Sequence, residues 1–351
     1  MRAFKYLLLG SAGLLISAVI IALISAQNAL DGDFQHSRQA TELAPLTDTA
    51  DDGLVKVAMG DYHYRARISG FNDTDKPLVI LLHGFPVTSA MWIDLIDPLA
   101  LSGFRVIALD QRGYSPGARP LDLKEYFSMR MVEDVFLLAD LLGAEKFHLV
   151  GHDWGSAIGW YSVMFQPERI MSYSGLSVPH PFAFFEAVEN DPDQAAKSWY
   201  FNLFALPVIA ETVLTMNNFN ALKSMYSVMD RQKVDDFISA FSEPDALTAA
   251  LNWYRAASMP ENVQELSQLN PDISVPALFI WGNQDEAIGR EATETMAKYM
   301  KGPYQKVEIE AGHRLIAEAP LEVVPRIVEH INGYNQTLTA EENSNLPTDL
   351  N

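Results

Sequence analysis

Phe147-His148-Leu149-Val150-Gly151-His152-Asp153-Trp154-Gly155-Ser156 is the stretch that decides the fold of this chain. Phe147 to Val150 is a short apolar run with the length of a buried strand, and the residues from Ser156 onward have helical periodicity. Between them, small-x-Asp-x-small fits a strand-to-helix turn so sharp that only glycine suits its flanks. The central side chain of such a turn stands exposed above a sheet. The helix N-terminus behind it favours negative charge. Asp153 is therefore the candidate nucleophile. An Asp before a helix also reads as an N-cap, but the flanking glycines and the preceding strand favour the first reading.

Asp in this position dictates a particular chemistry. A carboxylate is ionised at neutral pH and needs no base to activate it. It displaces at an electrophilic carbon and is left as an ester, which activated water must then cleave. Strained epoxides and carbon–halogen bonds suit it; ordinary esters and amides do not.

Working outward, Leu54–Ala58 and Tyr62–Ala66 alternate like hairpin arms about Gly60-Asp61. Apolar strand-length runs follow at Leu78–Leu82, Phe104–Leu109, Phe147–Val150, Ala277–Trp281 and Lys306–Ile309. A helix is predicted over Phe127–Leu142, stopped by Gly143. Such alternation implies a mostly parallel sheet covered by helices on both faces. From about Pro181 to Pro260 no strand is evident. Aromatic and aliphatic residues recur there at helical spacing, notably over Phe201–Met216 and Ala246–Ala257, which predicts a helical insertion.

The 351 residues give room for one large core with an inserted subdomain. The divisions expected are an N-terminal segment (1–30), a polar linker (31–52), a first core part (53–180), a helical cap (181–260), a second core part (261–335) and a polar, disordered tail (336–351). A formal charge of −20 repels nucleic acid and argues against electrostatic capture of anionic substrates. With no cysteine, disulfides, thiolate metal sites and a thiol nucleophile are all excluded. Arg2 and Lys5 precede an uncharged stretch, Tyr6–Leu30, whose apolar heart Leu7–Ala26 is about 20 residues, enough to span a bilayer. It reads as an uncleaved anchor or as a signal peptide ending near Ile24-Ser25-Ala26. Either places the remainder outside the cytoplasm, membrane-anchored in one case and periplasmic or secreted in the other.

Taken together, His83-Gly84-Phe85-Pro86, Asp110-Gln111-Arg112-Gly113-Tyr114, Gly151–Gly155, Trp281-Gly282-Asn283-Gln284-Asp285 and Gly312-His313 resemble the epoxide hydrolase branch of the α/β-hydrolase superfamily over residues 54 to 335. The resemblance implies an α/β-hydrolase fold with the cap inserted after the sixth strand. It also implies backbone donors at Phe85 and Trp154 that hold an oxygen of Asp153, with His83 and Pro86 lining the pocket. The order nucleophile, acid, histidine then leaves His180, His313 and His330, and the position of His313 after the last strand selects it as base. Asp285, rather than its neighbour Glu286, becomes the acid that orients it. Two cap tyrosines donate to the epoxide oxygen in the family. Tyr254, in Leu251-Asn252-Trp253-Tyr254-Arg255, matches one; Tyr200, followed by Phe204 and Pro207, fits the other. The implied substrates are a small lipophilic epoxide and water, with no cofactor and no metal. The haloalkane dehalogenases share Asp153, Trp154 and His313 but commonly carry Asn where this chain has Phe85. A catalytically silent binding protein of the same fold is the alternative from another class. The sequence departs from the better-studied epoxide hydrolases at Ser115-Pro116-Gly117-Ala118-Arg119-Pro120, which leaves the natural substrate open.

Overall fold

A computed structural model describes residues 43–46 and 51–344, with side chains up to residue 335. The N-terminal segment 1–30 lies outside the described residues. Among the described residues, no single helix is long and apolar enough to cross a membrane.

The expected hairpin forms from β1 (Gly53–Met59) and β2 (Tyr62–Ser69). It is followed by β3 (Leu78–Leu82), β4 (Arg105–Asp110), β5 (Phe147–His152), β6 (Ile170–Leu176), β7 (Ala277–Gly282) and β8 (Tyr304–Ile309). The sheet order is β1-β2-β4-β3-β5-β6-β7-β8, parallel from β4 onward. β3, β4 and β5 are buried throughout, as strands covered on both faces must be. β6 is absent from the apolar runs read off the sequence because Ser172, Ser174 and Gly175 interrupt it. Ser172 Oγ sits 2.8 Å from His148 Nδ1, so polar residues are tolerated in this central strand.

Helices α1 (Ile93–Leu101), α2 (Ser128–Leu141) and α3 (Trp154–Phe165) connect the early strands. The helical insertion follows β6 and comprises α4 (Pro181–Asn190), α5 (Pro192–Lys197), α6 (Tyr200–Phe204), α7 (Ile209–Met225), α8 (Arg231–Ser242), α9 (Ala246–Ala257) and α10 (Pro260–Leu266). The chain then returns to the sheet and closes with α11 (Arg290–Thr295), α12 (Leu315–Glu318) and α13 (Pro320–Ser344). Three details depart from the sequence reading. Phe201–Met216 is not one helix: Pro207 lacks an amide donor, and the chain breaks between α6 and α7 with Val208 at φ 68°. Ala44–Leu46, read as linker, pairs with Lys56 at the sheet edge. Residues 336–344, read as a disordered tail, continue α13.

The parallel register brings the C-terminal ends of β3, β5 and β6 to one edge: Leu82 pairs with Gly151, and Gly151 with Gly175. Loops leaving that edge are where open α/β sheets build their sites, and the insertion lies over it.

Candidate active site

Asp153 occupies the turn between β5 and α3 with φ 54° and ψ −122°, a backbone conformation L-residues rarely adopt. Two glycines make this possible. A Cβ on Gly151 would collide with the Gly155 carbonyl, and one on Gly155 with the Leu82 carbonyl. The Asp153 carboxylate makes no cap bond to its own helix, so the N-cap reading fails on geometry. Instead it faces a constellation of groups from other loops.

The Phe85 backbone N–H donates to Asp153 Oδ1 at 2.7 Å, and the neighbouring Trp154 N–H favours the ionised form of the same carboxylate. The loop after β3 can approach this closely because residue 84 is glycine: its Cβ would overlap the Asp153 carboxylate. The Phe85–Pro86 peptide is cis. On the other side, His313 Nε2 lies 3.3 Å from Asp153 Oδ2, and His313 Nδ1–H donates to Asp285 Oδ2 at 2.8 Å. Asp285 Oδ1 accepts from the N–H groups of Ala287 and Ile288 at 2.7 and 2.9 Å, which fixes the carboxylate. Glu286 turns away to Arg314, 2.5 Å from its guanidinium.

The charges are coupled. Burial opposes ionisation of Asp153, but the His313 hydrogen bond and charge, His152 and the Trp154 N–H together hold its carboxyl below the usual range. Burial would likewise lower His313, yet the carboxylates of Asp285 and Asp153 outweigh it and push the imidazole up to about 10. In the resting site His313 is therefore an imidazolium between two carboxylates.

Tyr200 and Tyr254 both lie near enough to Asp153 to feel its charge. Burial first, then the Asp153 charge, raises each phenol well above its ordinary pKa, so both remain neutral donors. Their rings lie 6.1 Å apart. Tyr200 lines the cavity that reaches Asp153, while Tyr254 packs edge-on against Trp154 and Phe85 at 5.2 and 5.5 Å.

His83 and Pro86, expected at the pocket wall, do not line that cavity. His83 is fully buried below the loop, where its Nε2 accepts the Gln111 N–H at 3.1 Å. Pro86 is buried and offers its carbonyl to the Tyr226 hydroxyl. Both hold the loop in place from behind.

Several supporting residues carry no expectation from the sequence. The His313 carbonyl accepts from His152 Nε2 at 2.9 Å and from Ser177 Oγ at 2.7 Å. Gln194 on α5 donates to Ala287 O and accepts from Gly289 N, at 2.9 and 2.7 Å, and Lys197 donates to Asp285 O at 2.8 Å. Helix α5 thus grips the loop that carries the acid. His152 stood in the quoted motif and was the one signal available; nothing in the sequence ties Gln194 or Lys197 to a loop some ninety positions away.

Among the described residues, no cluster of His, Asp and Glu has the makings of a metal site. Residues 77–320 match the family described as alpha/beta hydrolase fold. The chain is similar to the AB hydrolase superfamily protein YfhM of Bacillus subtilis, with 32% identity over 73% of this chain and 91% of the relative. It is 31% identical to epoxide hydrolase A of Mycobacterium tuberculosis over 77% of this chain and 94% of the relative. Among solved structures, an epoxide hydrolase from Vigna radiata superposes with a TM-score of 0.69 at 26% identity, covering 81% of this chain and 99% of that one.

Proposed function

The chain belongs to the α/β-hydrolase-fold family, within its epoxide hydrolases, and we propose that it opens an epoxide to a vicinal diol through an alkyl ester on Asp153. The observation that carries this reading is the Asp153 carboxylate held between the Phe85 N–H and His313, with two neutral phenols close by.

In the first step Asp153 Oδ2, the oxygen away from the Phe85 donor, attacks the less hindered epoxide carbon. The C–O bond breaks, and its oxygen takes a proton from the Tyr200–Tyr254 pair. Esterification removes the charge of Asp153, so His313 loses one of its two carboxylates. Its pKa falls, and its proton returns to the phenol pair. Neutral His313 then accepts a proton from water, which adds to the ester carbon. The carbonyl oxygen is Oδ1, and the Phe85 and Trp154 N–H groups stabilise its negative charge in the tetrahedral intermediate. Collapse expels the diol oxygen, which takes the proton of the nascent acid. Asp153 is again a carboxylate, His313 an imidazolium and the phenols neutral, so the cycle closes without a cofactor.

The test is to trap the ester. A His313→Gln variant incubated with a terminal epoxide should gain the mass of one epoxide on the peptide carrying Asp153. A variant that shows no such adduct in a folded protein removes the covalent scheme.

For the N-terminal segment we propose a membrane anchor that leaves the catalytic domain outside the cytoplasm. The support is the uncharged length of Tyr6–Leu30 behind Arg2 and Lys5. Recovery of the full chain in the soluble fraction of a fractionated cell would contradict it.

A further inference from the structure

The cavity that reaches Asp153 measures about 50 Å³, far below the roughly 300–1,000 Å³ of ordinary small-molecule sites. Its walls are mainly aromatic: Trp154 and Tyr161 on α3, Phe184 and Phe185 on α4, Tyr200 and Phe201 on α6. Phe201 packs against Trp154 and Phe184 at 6.1 Å each, ring centre to ring centre, so these rings touch and form one continuous aromatic wall of the cavity. Phe185 is 49% exposed and marks the mouth. Among the lining residues Asp153 is the only one that carries a charge.

Beyond Phe85 the site is closed. Phe85 packs against Phe204 and Phe241 at 5.2 and 6.0 Å. Tyr114 packs against Phe241 and Trp253 at 5.8 and 5.6 Å. All these rings are buried, and none of them lines the cavity.

An epoxide seated on Asp153 therefore finds room for a substituent on one side only. From this we infer that the substrates are neutral, slim, monosubstituted epoxides, whose unsubstituted carbon meets Asp153 while the chain runs out along the aromatic wall toward Phe185. The inference rests on the epoxide-opening reading and narrows it. An epoxide substituted on both carbons must push one group into the Phe85–Phe241–Tyr114 packing. An anionic epoxide meets no cation among the cavity's lining residues, and the carboxylates of Asp153 and Asp285 outnumber the one His313 imidazolium behind them.

The experiment compares kcat/KM of the full chain for 1,2-epoxyhexane, its isomer trans-3,4-epoxyhexane and anionic 5,6-epoxyhexanoate. Excluding even a methylene-sized group is worth ~10-fold or more, so 1,2-epoxyhexane should exceed each of the others by at least ~10-fold. A smaller ratio for either overturns the inference while leaving epoxide opening intact. No diol from any of the three is instead the failure of the epoxide reading itself, and takes the inference with it. An unhindered carbon is intrinsically more reactive, so a second arm separates reactivity from shape. Phe241→Ala removes a ring from the closed side, and the preference over trans-3,4-epoxyhexane should narrow ~10-fold. An unchanged preference in a variant with native circular dichroism means that the wall does not set it, and overturns the inference.

Discussion

Replacing Asp153 by Asn imitates the esterified enzyme, because the amide keeps the shape of the carboxylate and removes its charge. The consequence should appear on His313. In the native site the imidazole lies 3.3 Å from Asp153 and 2.8 Å from Asp285, and its pKa is raised to about 10. Two unit charges about 4 Å apart interact by ~4 kcal/mol at an effective dielectric of 20. One pKa unit is ~1.36 kcal/mol, so losing the Asp153 charge should lower His313 by ~3 units, to ~7. The sign follows from which form each carboxylate favours: both stabilise the imidazolium, so removing one favours the neutral ring. A midpoint near 7 is where a general base at neutral pH works best. The same shift predicts that ester hydrolysis slows as pH falls below the midpoint of the alkylated enzyme, when the ring can no longer accept a proton. Attack by Asp153, whose carboxyl is held below its ordinary range, should not share that loss near neutrality. The assay is an NMR titration of the imidazole in labelled wild type and Asp153→Asn, assigned with His313→Gln and checked for deamidation by intact mass. A fall of less than ~1 unit would refute the idea that alkylation itself converts His313 into a base.

Two further outcomes test the cap. Tyr254→Phe removes one phenol proton without altering the ring packing around Trp154 and Phe85, and should slow ester formation by ~10²–10⁴-fold in single-turnover quench experiments; an unaltered rate would assign the ring to packing alone. Glu243, between α8 and α9, bridges Arg65 at 3.2 Å and Arg119 at 2.7 Å, and its side chain is 3% exposed. Glu243→Gln leaves buried guanidinium charge uncompensated and should cost ~3–5 kcal/mol in urea unfolding, with kcat at permissive temperature preserved; unchanged stability would mean that Asp110 and neighbouring carbonyls suffice for both arginines.

The parts legible in the sequence are those whose physics is local. The elbow could be read because a turn at φ 54° with carbonyls crowding both flanks requires glycine at 151 and 155. The buried strands could be read because a sheet covered on both faces produces unbroken apolar runs. β6 could not, since its serines are satisfied by partners distant in sequence, such as His148. The assignment of His83 to the pocket wall failed for a related reason. Its neighbours Gly84 and Phe85 do face the site, but the His83 imidazole is drawn away from it by the Gly84 carbonyl at Nδ1 and the Gln111 N–H at Nε2. Gln194 and Lys197 were invisible because their role is set by where the cap lands, not by any local pattern.

That landing point ties the two halves of the chemistry together. In the proposed cycle the cap supplies the phenols that protonate the epoxide oxygen, and through α5 it also holds the backbone of Asp285 and the loop after it. Asp285 in turn holds His313 at 2.8 Å, and the His313 carbonyl is pinned by His152 and Ser177 on the core side. The imidazole is thus located from both sides of the site before any substrate arrives. It can change its charge during the cycle without changing its place, because the anchors act on its backbone and on Nδ1 while the variable charge sits beyond Nε2. A nucleophile that neutralises itself by reacting needs a base that responds to that loss of charge, and this arrangement makes the response electrostatic rather than conformational.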